Sequence, residues 1–201
     1  MITDGVGDLG RIVGTTRAAF AGGCRCVQVR EPRWSARELE AASRELRPIA
    51  EEAGALILVN DRLDVVLAGC ADGAQIGHRS LAPTTARRLL GGQPLLGYSA
   101  HNASELAVAY DAGCSFALLS PVWATACKPG RAPLGVSAAA RLTSQARLPT
   151  VWLGGVTPEA LAEAADLSPD ARPAGVAVMS GIMAADDPAG ACSALLQALP
   201  Q

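Results

Sequence analysis

Seven short apolar runs, separated by segments of helical periodicity, restrict this chain more than any other feature. They occupy residues 26–29, 55–59, 74–76, 94–97, 116–119, 150–153 and 175–179. Runs this short, rich in Val, Ile and Leu, read as strands buried on both faces. The helical segments between them are 36–53, 83–90, 103–112, 137–146, 158–165 and 188–199. Ser35 stands three residues before Glu38, the pattern of a capping box, while Thr157-Pro158 and Asp187-Pro188 place a capping side chain ahead of a proline at the first helical position. Regular alternation of strand and helix dictates a parallel α/β sheet. Met1-Ile2-Thr3 supplies an eighth, unusually short strand. Eight strands close into a (β/α)8 TIM barrel whose first strand is truncated. The alternative is an open doubly wound sheet, but no GxGxxG turn follows the first strand.

Length and charge narrow the function. A chain of 201 residues suits one domain spanning 1–201. No apolar stretch approaches the ~20 residues of a bilayer-spanning helix. Residues 1–10 contain two acids and no basic group, so no leader is read there and a cytoplasmic, non-membrane protein is expected. The 17 Lys and Arg are dispersed among 19 Asp and Glu, for a net charge of −2. With no basic face and no helix-turn-helix pattern, nucleic acid is not an expected partner. The six cysteines form no CxxC pair and have no nearby histidine cluster, which argues against structural zinc and against a disulfide framework.

In a parallel barrel the chemistry lies at the carboxyl ends of the strands. Gln28 and Arg30 alternate with Val27 and Val29, which puts an amide and a guanidinium at the mouth. An inward Arg calls for an anionic ligand, or for a structural Asp or Glu partner. Asn60 and Asp61 end the next strand, where Asp61 could ligate magnesium, orient a neighbour or cap a helix. The segment Gly97-Tyr98-Ser99-Ala100-His101 brings Ser99 and a histidine to another strand end, making His101 the leading acid/base candidate. His78 reads as an exposed loop residue. Thr125 and Lys128 lie in a Gly/Pro-containing loop from which a lysine can reach an anion, whereas Cys127 beside it lacks an evident base. Gly154-Gly155 and Ser180-Gly181 end the last two strands. Backbone amides there can approach a phosphate closely, as expected for a barrel's phosphate cup.

The ordered segments VQVRE, LVNDR, ADGAQIG, GYSAH, SPVWATACK, LGGV and GVAVMSGI resemble the thiamine phosphate synthase and TenI family along essentially the whole chain. The resemblance implies a (β/α)8 barrel. In the synthase branch it implies magnesium-assisted joining of a pyrimidine methyl diphosphate to a thiazole phosphate. In the TenI branch it implies metal-free aromatisation of a thiazole phosphate carboxylate. On that resemblance Gln28, Arg30 and Asn60 would bind the pyrimidine diphosphate, Asp61 the metal, and Lys128 the diphosphate. Two synthase positions depart from the pattern. Pro32 stands for a lysine, and Ser80 for the second metal-binding aspartate. Both losses weaken diphosphate departure, so the expectation is a TenI-like tautomerase without cofactor. In it His101 moves the proton and Gly154, Gly155, Ser180 and Gly181 hold the substrate phosphate. A magnesium-dependent synthase is the alternative, and a non-catalytic phosphate-binding protein is the third reading. A homodimer is the expected assembly.

Overall fold

Every apolar run becomes a strand, and every strand pairs with its neighbour in sequence. In the computed structural model, which describes residues 1–125, 130 and 132–200, the elements follow in order α1 (Leu9–Ala21), β1 (Cys26–Val29), α2 (Ala36–Ala53), β2 (Leu56–Asn60), α3 (Leu63–Leu67), β3 (Gly73–Ile76), α4 (Pro83–Leu90), β4 (Leu95–Ala100), α5 (Ala103–Asp111), β5 (Phe116–Leu119), α6 (Val136–Gln145), β6 (Thr150–Leu153), α7 (Pro158–Ala162), a 3-10 turn (Pro169–Ala171), β7 (Gly175–Ala177), α8 (Ser180–Met183) and α9 (Pro188–Ala198). Among the described residues β1 to β7 form one sheet in sequence order, with every pairing parallel. This is the α/β architecture of TIM-barrel-like folds.

Alternation along the strands sorts the two faces. Val27, Val29, Ile57, Val59, Ala74, Ile76 and Leu96 join the main core with helix residues such as Ile12, Phe20, Leu39 and Leu46. Each large aliphatic side chain buried this way contributes about 1.5–3 kcal/mol. The opposite face carries a smaller apolar cluster of Ile2, Leu118 and Ala177, with Phe116, Val151 and Leu153 against it. Gln28 and Gln75 alternate onto this inner face and are buried there. Gly97, paired with Gln75 across β3 and β4, makes room for Gln75 and Phe116: a Cβ there would stand 2.1 Å from Gln75 Oε1 and 2.3 Å from Phe116.

Residues 1–3 hydrogen-bond to both edges of the sheet. Ile2 N donates to Val178 O at 2.9 Å, Gln28 N donates to Met1 O at 2.9 Å, and Thr3 N donates to Gln28 O at 3.0 Å. Arg11 of α1 clamps the same seam, donating to Asp4 at 2.6 Å and to Met183 O at 2.9 Å.

The caps at Ser35, Thr157 and Asp187 form as expected. Boundaries shift at several elements: β4 runs on to Ala100, β7 stops at Ala177, and α7 ends at Ala162. Helix α1 was not foreseen. Its buried positions Ile12, Thr15, Thr16, Ala19 and Phe20 have helical spacing, but the two threonines hide the apolar stripe.

Candidate active site

A row of polar side chains crosses the carboxyl ends of the first strands. Gln28 Nε2 on β1 donates to Asn60 Oδ1 on β2 at 2.9 Å, and Asn60 Nδ2 donates to Asp61 Oδ2 at 2.7 Å. The Ser80 hydroxyl, in the loop after β3, donates to the other Asp61 oxygen, and Gly77 N donates to Ser80 Oγ at 2.7 Å. Asp61 adopts a positive φ of 63°, a rare state for a residue with a side chain, and it is exposed. Helix capping does not account for it, because α3 has Arg62 at its N-cap with no side-chain bond. Gln28, Asn60, Asp61 and Ser80 thus form one hydrogen-bonded row.

One strand further, Gln75 Nε2 on β3 donates to Ser99 Oγ on β4 at 3.1 Å. Gln75 Oε1 is buried and has no partner among the described residues, at a cost of about 1–3 kcal/mol. Arg30 is half-buried and is in no ion pair among the described residues. Its amide donates to Thr3 Oγ1 at 2.8 Å. Glu31 Oε1 accepts from Gly5 N at 3.1 Å.

His101 lies just past β4 with only 14% of its side chain exposed. Its ring Nδ1 is 2.8 Å from Glu105 Oε2, and its backbone N donates to the same oxygen at 2.7 Å. Asn102, the N-cap of α5, accepts from Glu105 N and donates to Glu105 Oε1 at 2.9 Å. Burial pushes the Glu105 carboxyl up, but the hydrogen bonds from His101 outweigh it and hold the carboxyl below its ordinary value. His78 is exposed, as expected, yet its ring stacks on His101 with centroids 5.3 Å apart. From sequence alone His78 reads as an exposed loop residue, and Glu105 and Gln75 carry no catalytic motif of their own. The i,i+4 spacing of His101 and Glu105 was the available signal.

The far side of the mouth is built from backbone. Gly154 and Gly155 have φ of 97° and 67°. A Cβ on Gly155 would stand 2.4 Å from Ala124 O, and one on Gly154 would stand 2.8 Å from Pro121. Both glycines are therefore fixed by close packing against the segment after β5. Ser180 and Gly181 open α8, where first-turn amides have no preceding helical carbonyl to bond. Thr125 is half-buried on the same side, while Lys128 and Cys127 lie outside the described residues. A cavity of about 410 Å³ opens elsewhere, among the amino ends of the strands near Leu56, Leu95, Phe116 and Val176. Its lining is chiefly apolar.

With this geometry fixed, residues 1–182 match the family model described as thiamine monophosphate synthase. The chain belongs to the thiamine monophosphate synthase family. Among its relatives, a thiamine-phosphate synthase of Laribacter hongkongensis is 40% identical over 184 residues, covering 91% of this chain and 85% of that protein. One of Chloroflexus aurantiacus is 40% identical over 171 residues, covering 85% and 77%. A solved structure, thiamine phosphate pyrophosphorylase from Pyrococcus furiosus, superposes with a TM-score of 0.83 at 27% identity, covering 98% of this chain and 92% of that one.

These relatives overturn the expectation of a TenI-like tautomerase, and with it the isomerase assignment. The expectation rested on charge lost at Pro32 and Ser80. The structure supplies a physical reason why that inference was too strong: Ser80 still brings an oxygen onto Asp61, so the position keeps a hard donor although it loses a charge. Among the described residues no helix is long and apolar enough to cross a membrane.

Proposed function

We propose that this chain is a thiamine phosphate synthase, which joins a pyrimidine methyl diphosphate to a thiazole phosphate and releases diphosphate. The observation that carries the reading is the 40% identity, over 91% of the chain, with a relative of that name. The mouth is chemically suited to the task. In the reaction the bond from the pyrimidine methylene to diphosphate oxygen breaks and a bond to the thiazole ring nitrogen forms, so no proton need be removed and His101 has no required acid/base step.

The donors at the end of β2 fit a magnesium ion, which takes a carboxylate or two together with phosphate oxygens and water. Asp61 would hold it by its exposed carboxylate, with Ser80 as a second oxygen donor. Bound there, the ion would neutralise charge gathering on the departing diphosphate. Gln28 and Asn60 are locked together and can present amide groups to the pyrimidine without reorganising. Arg30, in no ion pair among the described residues, would bind the diphosphate, with Lys128 on the same anion. On the opposite side Gly154, Gly155, Ser180 and Gly181 hold the thiazole phosphate through backbone amides, with Ser99 and Thr125 lining the space between.

We also infer that residues 1–3 act as the eighth strand of a (β/α)8 barrel in a single domain, a reading supported by their bonds to Gln28 and Val178. The enzymatic proposal is tested by incubating the purified chain with both substrates and magnesium. Equimolar thiamine phosphate and diphosphate are expected, and failure to form thiamine phosphate would refute the assignment.

A further inference from the structure

We propose that His78, His101 and Glu105 form a binding site for a divalent transition metal ion of the zinc or cobalt kind, with a coordination position left open to solvent. The site goes beyond the synthase reading and stands whether or not that reading holds. It also differs in chemistry from the oxygen cluster at Asp61, since two imidazoles and one carboxylate favour borderline ions over magnesium.

Potential ligand atoms of three residues already converge. His78 Nε2 is 3.4 Å from His101 Nδ1 and 3.4 Å from Glu105 Oε1, and His101 Nδ1 is 2.8 Å from Glu105 Oε2. One potential ligand atom from each residue lies within 4.8 Å of the other two. Separations of 3.4 Å are long for a strong hydrogen bond, whereas ligands 2.0–2.1 Å from a tetrahedral zinc stand about 3.4 Å apart. The shorter His101–Glu105 contact is a hydrogen bond whose proton a metal would displace.

The surroundings hold the ligands in place, as working metal sites require. Glu105 is fixed by the His101 backbone amide and by Asn102 Nδ2. His78 is exposed, with the His101 ring centroid 5.3 Å and the Tyr98 ring centroid 6.1 Å from its own. Two neutral imidazoles and one carboxylate leave a divalent ion with net positive charge. An anionic oxygen ligand is therefore the natural occupant of the open position.

The probe is Co2+ added to the full chain after chelator treatment, followed by its visible absorption bands and by the change in melting temperature. One equivalent is expected to bind, with intense tetrahedral-type bands and a rise in melting temperature. His78→Ala removes an exposed side chain and should fold normally while weakening Co2+ binding by about 10-fold or more. Glu105→Gln should do the same, whereas Asp61→Asn should leave Co2+ binding intact. Absence of stoichiometric binding by the wild type would overturn the proposal. So would binding that survives His78→Ala unchanged, or that depends on Asp61 instead.

Discussion

The two sides of the cluster at the carboxyl ends of the strands are built from different materials. After β1 to β4 the site consists of side chains that hydrogen-bond to one another across strands: Gln28 to Asn60, Asn60 and Ser80 to Asp61, Gln75 to Ser99. After β6 it consists of backbone, with Gly154 and Gly155 at positive φ pressed against the segment that follows β5. A side-chain network can be altered one function at a time. At the glycine pair no side chain can be changed alone, because a Cβ on either Gly154 or Gly155 meets main chain.

Substitution of Gly155 should therefore have the largest effect. Gly155→Val combines a disfavoured φ with a Cβ 2.4 Å from Ala124 O, and we expect a loss of about 3 kcal/mol or more, measured by denaturant melts. Asp61→Asn should leave stability nearly unchanged and lower kcat by about 100-fold, read in steady-state kinetics. A mutant at Asp61 that is as unstable as one at Gly155 would erase the contrast between the two sides. Ser80→Asp would restore the carboxylate that the resemblance expects. It should tighten magnesium about 10-fold in a titration of activity against metal. Gln28→Ala removes one hydrogen bond from the network and should raise the KM for the pyrimidine substrate about 10-fold, with kcat less affected.

The smallest effect is a pH dependence at Glu105. Its carboxyl is held below the ordinary value of 4.5 by His101, so the unfolded chain binds protons more readily there than the folded one. The stabilisation is fully present above 4.5 and is lost as pH falls through the lowered value. Melting temperature on the acid side should fall more steeply for wild type than for Glu105→Gln. Parallel curves would show that the His101–Glu105 contact contributes nothing.

The same contrast explains what the sequence could reveal. Strands and their order were legible because apolar runs bounded by turns leave few other folds, and the glycine pair announced itself at a strand end. Helix α1 escaped because Thr15 and Thr16 occupy its buried face. The metal-like cluster escaped because His78 and His101 are 23 residues apart and meet only when β3 and β4 pair. Ser80 shows the opposite error: its identity suggested a lost function, while its position after β3 keeps an oxygen on Asp61. Side-chain chemistry read without its neighbours overstated the effect of one missing charge.

The division of the mouth is tested most directly by binding each substrate separately to Asp61→Asn by calorimetry in the presence of magnesium. The account predicts that affinity for the pyrimidine diphosphate falls while affinity for the thiazole phosphate stays at the wild-type value. Equal loss of both, or loss confined to the thiazole phosphate, would contradict it.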